Sequence, residues 1–340
     1  MRKKIKKIAT ITFSLLLISG IFSGSAVEAK TAKFKKERIK INLSENNILS
    51  QDEDNKLSFY QYENDGYDAQ QDKYFYHVYK FECNDTEVQN TKKFACYDRN
   101  VHYAEEIEGS ENTMVVGSEN KGEYHFTTYN RNGEILSSIV DKINAKEFDH
   151  TIVEDIHIKG KRLYYAYLGR CDNKKCRFYN HYEPHIRCIN LDNGELIKDK
   201  FLKEKCNSCC MKIHDDRVYV TTLNSVKSFT LNGKKERTYK TPKTENSYRE
   251  KISIKGKYLY FTSGKNGIYR CKINNAKKGF SLYYDAKKDQ NFKKVKDIDE
   301  GYFYDFCVKE KNTFYMQFDY DYESGVSIDD LASIICYSKN

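Results

Sequence analysis

The stretch Ile252 to Asn274, reading ISIKGKYLYFTSGKNGIYRCKIN, constrains the fold more than any other part of the chain. Ile254 is followed five residues later by Leu259, then Tyr260, and a Ser-Gly-Lys-Asn-Gly break leads into a second apolar alternation from Ile268 to Ile273. Alternation bounded by glycine predicts half-buried strands joined by tight turns. The frame recurs as Ile158 with Leu163 and Tyr164, Ile213 with Val218 and Tyr219, and Ile298 with Phe303 and Tyr304. Successive leading isoleucines are 55, 41 and 44 residues apart.

The second strand of each unit gives an independent register. KFACYDRN at Phe94, HFTTYNRNG at Phe126, HIRCINLDNG at Ile186, SVKSFTLNG at Val226, GIYRCKINN at Ile268 and SIICYSKN at Ile334 align on one apolar position. Four of these six run into Asn-Gly or Asn-Asn, a turn sequence that tolerates positive φ. Earlier in the chain, Leu57 to Tyr62, Tyr74 to Cys83 and Phe94 to Tyr97 read as strands. Thr113 to Gly117, Tyr124 to Asn130 and Glu134 to Val140 form a weaker unit. A period of about 40 to 50 residues with several strands per unit is the pattern of propeller blades. The predicted fold is therefore all-β, a single β-propeller over residues 37–340, with six blades or, if the acidic insertion from Lys309 to Asp330 hides one, seven.

The sixth aligned segment ends at Asn340, so that blade lacks an outermost strand. Arg38 to Leu43 (RIKINL) alternates Ile39, Ile41 and Leu43 with basic or polar residues and has no hairpin partner beside it. Pairing the two would close the ring and remove exposed sheet edges. In these strand and turn patterns, residues 36 to 340 resemble the secreted bacterial six-bladed propellers of the TolB-like and quinoprotein-like kind. Some of those carry repeats with Leu-Tyr-Phe followed by Ile-Tyr-Arg, as at Leu259 to Phe261 and Ile268 to Arg270. The resemblance implies an architecture and brings no catalytic motif with it.

Residues 1–29 combine five basic side chains, an apolar run from Ile8 to Phe22 and small residues ending in Val27-Glu28-Ala29. This is the composition of a Gram-positive secretory signal cleaved after Ala29, followed by a leader from Lys30 to Lys36. The run is short for a bilayer span, and no later segment is apolar enough to be one. Removing the signal leaves 53 basic and 48 acidic side chains, a net charge of +5 rather than +9. No basic cluster interleaves with aromatics, which argues against nucleic-acid binding. The modest positive charge suits an extracellular protein near an anionic cell wall.

Export makes disulfides the first expectation for the eleven cysteines. Cys83 and Cys171 each lie eight residues beyond a frame position (Phe75 and Leu163), and Cys96 and Cys188 each lie two beyond the aligned residue of the next strand. The expected pairs are therefore Cys83 with Cys96 and Cys171 with Cys188. Cys171, Cys176, His181, His185 and Cys188 also crowd ligating side chains into one hairpin, so zinc is the alternative there. Cys206-Asn207-Ser208-Cys209 has redox spacing, but its β context lacks the helix start that activates a thiol. Asp52 and Asp54 lack the glycine and closing glutamate of a calcium loop.

Propeller chemistry sits where the innermost strands meet the central channel. Glu154 to Ile158, Cys210 to His214 and Val295 to Asp299 are the expected innermost strands, offering Asp155, His157, His214, Asp297 and Asp299 as acid, base or ligand of a divalent cation. The simpler account is that these residues hydrate the channel. No phosphate loop, nucleophile elbow or paired-histidine helix is present. The expected function is a secreted, non-enzymatic propeller whose loops bind a protein, peptide or cell-wall polymer, with no cofactor. A hydrolase or lyase working through the channel residues, with a divalent cation, is the competing expectation.

Overall fold

The strand that carries Leu163 and Tyr164, like its counterparts with Val218 and Tyr219 or Leu259 and Tyr260, is apolar on both faces. Such a strand must be covered on both sides, which requires sheets stacked face to face. A computed structural model describes residues 35–38, 47–51, 57–68, 73–84, 87–96, 100–107, 110–118, 122–143, 148–172, 174, 181–204, 206, 210–222, 224–242, 250–263, 267–285, 302–310, 313–319 and 332–338. All of them belong to one compact unit, Phe34–Asn340.

The described residues are almost entirely strand, with no α-helix among them, and form four-stranded antiparallel sheets. Strand β1 is Lys35–Arg38. The first sheet holds β2 (Asn47–Gln51), β3 (Leu57–Asp68), β4 (Lys73–Asn84) and β5 (Glu87–Cys96). The second holds β6 (Asn100–Glu106), β7 (Thr113–Ser118), β8 (Glu123–Tyr129) and β9 (Ile135–Lys142). The third holds β10 (His150–Lys159), β11 (Arg162–Arg170), β12 (Tyr182–Asn190) and β13 (Leu196–Phe201). The fourth holds β14 (Met211–His214), β15 (Arg217–Thr222), β16 (Ser225–Thr230) and β17 (Lys235–Lys240). The fifth holds β18 (Glu250–Lys255), β19 (Tyr258–Ser263), β20 (Gly267–Lys272) and β21 (Ser281–Asp285). The sixth runs β22 (Tyr302–Glu310), β23 (Thr313–Asp319), β24 (Ala332–Ser338) and then β1. Leading strands of successive sheets touch: β2 with β6, β6 with β10, β10 with β14, β14 with β18, β18 with β22, and β22 with β2.

The core lies between sheets, and strand alternation divides it. Leu163, Tyr165 and Tyr167 of β11 face a cluster shared with Met114, Val116 and Phe126 of the second sheet. Ala166 and Leu168 of the same strand face Met211, Val218 and Val220 of the fourth. Strand β15 repeats the division, sending Tyr219 to Leu259 and Phe261. Strand β19 does so again, sending Tyr260 to Phe306, Val308 and Phe314. A leucine or valine that packs backward and a tyrosine that packs forward explain the Leu-Tyr frame. Each such aliphatic burial is worth about 1.5–3 kcal/mol.

The Asn-Gly turns fold alike. Gly133, Gly194 and Gly233 have φ of 83°, 72° and 76°, and each donates its N–H back to Asn130, Asn190 or Thr230. A one-residue register shift follows in all three hairpins, the bulge that a left-handed glycine creates.

Four sequence expectations shift. The strand pairing with β24 is Lys35–Arg38, with Arg38 opposite Ile335, rather than Arg38 to Leu43, of which only Arg38 is described. Apolar alternation does not mark the last strand of a sheet, since β17 (KERTYK) holds that place without it. Phe303 belongs to the leading strand β22, and Phe314 with Tyr315 in β23 fills the second-strand position, so the acidic insertion supplies an ordinary strand. The aligned segments form third strands rather than second ones, except that Phe94 lies in β5, the fourth strand of its sheet. The weak second unit gains a leading strand, β6, that alternation had not marked.

Candidate functional site

A sheet edge leaves alternate N–H groups without partners, and in this fold the leading edges are capped by side chains from the preceding sheet. In β10, Val153 pairs with Tyr167 and Asp155 with Ala166, so Glu154 is an extra residue in a bulge. The bulge turns two consecutive carboxylates toward β14. Asp155 accepts the Ile213 N–H through Oδ2, and Glu154 accepts the Met211 N–H. Further along, the Val308 N–H of β22 is donated to Ser253 Oγ at 3.3 Å. Asp155 also accepts the Tyr103 hydroxyl at 2.6 Å and lies 3.4 Å from Lys212 Nζ. Burial lifts the Glu154 carboxyl above its usual range against the opposing pull of Lys251, and burial pushes the Cys210 thiol up to about 12.

The same bulge recurs in β6 between Val101 and Tyr103 and in β22 between Phe303 and Asp305. Tyr103 therefore holds in the second sheet the register position that Asp155 holds in the third.

At the hairpin end of the third and fourth sheets lies a groove of about 670 Å3, lined by Lys159, Arg162 and Tyr164 on one side and by Asp215 to Arg217, Thr230 to Asn232 and Glu236 on the other. Its volume falls within the range of about 300–1,000 Å3 typical of ligand sites. Lys159 pairs with Asp216, and Arg217 Nε with Glu236 at 2.6 Å. The groups acting on the exposed Arg162 guanidinium are the Tyr164 hydroxyl and the Cys188 thiol, with no carboxylate among them. Asp215 and Asp216 both adopt positive φ, 47° and 57°, where the matching turns use Gly160-Lys161 and Gly256-Lys257. These residues escaped the sequence reading, although the aligned frame shows the departure: Ile158-Lys-Gly-Lys-Arg-Leu163 against Ile213-His-Asp-Asp-Arg-Val218.

The structure brings only some of the expected site residues together. His157 lies 3.6 Å from Asp216 and His214 lies 3.5 Å from Asp215, each beside an aspartate that lines the groove. Burial lowers the pKa of His214. Asp297, Asp299 and Cys176 lie outside the described residues. The expected disulfide pairs do not face each other. Cys83 stands opposite Val88 while Cys96 stands opposite Tyr76, and Cys188 stands opposite Tyr164, seven positions before Cys171. Seven residues of strand span roughly 23 Å, against a Cα separation of about 4.4–6.8 Å in a disulfide. His185 and Cys188 occupy opposite faces of β12, so these two of the zinc candidates do not share one site. Among the described residues no group of three or more His, Cys, Asp and Glu side chains is arranged to hold a metal ion.

His185 instead joins a buried network at the boundary of the second and third sheets. Its ring stacks on Tyr167 and Phe201, with centroids 4.7 and 5.3 Å away, and Nδ1 is 3.3 Å from Asp199 Oδ1. Arg187 bridges Asp199 and Asp141 of β9, and Tyr165 and Tyr167 donate their hydroxyls to Asp141 and Asp199. Burial works to lower the imidazole pKa, but Asp199 and Glu183 outweigh it and hold His185 above its ordinary value. Burial likewise opposes ionisation of Asp199, yet His185 and Arg187 keep its carboxyl below the usual range.

Compared with known proteins, the chain matches no family model and no curated protein.

Proposed function

We propose that the chain is a secreted, non-enzymatic six-bladed β-propeller that presents its loops and an inter-sheet groove for binding a protein, peptide or cell-wall polymer. The circular order of contacts among leading strands supports six blades about one axis, with β1 as the outer strand of the sixth. The resemblance to TolB-like and quinoprotein-like propellers and the signal-like amino terminus support an extracellular setting.

The binding reading rests chiefly on Asp155. The enzymatic alternative needs a channel carboxylate able to take a proton or hold a cation. Asp155 already accepts the Tyr103 hydroxyl and the Ile213 N–H and lies near Lys212, so both its oxygens are engaged in joining three sheets. The hydrolase or lyase reading draws its support from Glu154, whose bulge and raised pKa suit an acid.

One experiment compares them. The purified chain is immobilised and washed with Gram-positive surface extract, and its metal content is measured in parallel. Saturable retention of one component without stoichiometric metal is the expected result. A stoichiometric divalent ion with no retained component would replace binding by catalysis.

A further inference from the structure

We infer that the groove between the third and fourth sheets binds a zwitterionic ligand, a short peptide with free termini, its carboxylate held by Arg162 and its ammonium by Asp215. This deepens the binding reading above and rests on it.

Four of the six charged side chains lining the groove neutralise each other there: Lys159 with Asp216 and Arg217 with Glu236. Arg162 and Asp215 remain. Among the described residues Arg162 has no ion pair, and a guanidinium beside an aromatic ring is suited to a carboxylate. Asp215 stands 3.5 Å from His214, whose pKa burial lowers, and Arg217, already bonded to Glu236, feels its charge while Nη1 reaches the Asp215 carbonyl at 3.3 Å. One exposed cation and one exposed anion thus face a single groove from neighbouring sheets. A ligand carrying only one sign of charge would satisfy one and leave the other unmatched.

The backbone points the same way. Three hairpins close alike, since Lys161, Asp216 and Lys257 each accept an N–H from the residue just past the third strand: Leu191, Leu231 and Ile273. Two of them use glycine where φ is positive. Of these three turns only the one carrying Asp215 and Asp216 places aspartates at positive φ, which aspartate tolerates, and it lines the groove.

The probes are triglycine, N-acetyl-triglycine and triglycine amide, titrated into the full chain at low salt and followed calorimetrically. Triglycine should bind, with each blocked peptide weaker by about tenfold or more, the loss of one charge-assisted contact. In Arg162→Gln, triglycine and its amide should bind alike. In Asp215→Asn, which keeps a residue tolerant of positive φ, triglycine and its acetylated form should bind alike. Equal affinity of the wild type for all three peptides, or no binding of triglycine at tens of millimolar, would overturn the inference. If a surface component is still retained by the double variant, the general binding reading stands and only the zwitterion site falls. Loss of triglycine binding in both variants without change in their melting temperatures supports the site.

Discussion

Tyr103 donates its phenolic hydroxyl to Asp155 Oδ1 at 2.6 Å, tying the leading strand of the second sheet to that of the third. The same carboxylate accepts the Ile213 N–H, so a single side chain spans three sheets. Tyr103 is 4% and Asp155 3% exposed, which leaves water no route to replace either partner.

Asp155→Ala should therefore lose about 1–3 kcal/mol, because it strands the Ile213 N–H and leaves the Tyr103 hydroxyl only Glu105 as acceptor. Tyr103→Phe removes the hydroxyl's contacts with Asp155 and Glu105 and should lose about 1–2 kcal/mol. Chemical denaturation of both singles and the double tests the link. Strict additivity would mean that the two residues are not coupled.

The Leu-Tyr frame was legible because a strand covered on both faces has few substitutes for Leu163, Tyr219 or Phe261. It misled at Phe303 and Phe94 because leading and outermost strands can carry the same alternation, and alternation does not encode a strand's rank within its sheet. Asp155 was legible as a leading-strand carboxylate. Its role was not, since the bulge at Glu154 changes which way two residues point without changing composition. The cysteine spacings repeated faithfully, but equal spacing in two hairpins does not make their members face each other.

The His185 network predicts a pH dependence with a definite sign. A folded-state pKa raised above the unfolded value of about 6.5 contributes stability that is fully present below pH ~6.5 and is lost as pH rises through the folded pKa. Asp199 is depressed, so its contribution is present above pH ~3.9 and fades only as pH falls through its own folded value. Asp199, Glu183, Arg187 and the hydroxyl of Tyr167 face or adjoin the imidazole, and Asp141 acts through Arg187. The loss in melting temperature caused by His185→Gln should be greater at pH 6 than at pH 8.5. An equal loss at both would show that the ring contributes by packing alone.

The pairing of β1 with β24 predicts that a chain starting at Ile39 melts below one starting at Phe34. Without β1, the N–H and C=O groups of β24 from Ile335 to Ser338 lose their strand partners. The loss of even one or two of these hydrogen bonds is worth roughly 1 kcal/mol or more. Thermal unfolding by circular dichroism reads the difference directly. Matching melting temperatures would mean that the strand does not hold the sixth sheet.

The turn at Asp215 and Asp216 sets stability against binding. Aspartate tolerates φ 47° better than most residues but less readily than glycine, which holds the corresponding positions Gly160 and Gly256 in the third and fifth sheets. Asp216 pairs directly with Lys159, whereas Asp215 shares Arg217 with Glu236 and stands 3.5 Å from His214. Asp215→Gly should therefore raise stability by about 1 kcal/mol in denaturant titration while weakening triglycine binding. Asp216→Gly should gain less, because it also removes the Lys159 pair. If Asp215→Gly destabilises the chain, the aspartate is there for the turn itself and the case for a ligand loses its backbone argument.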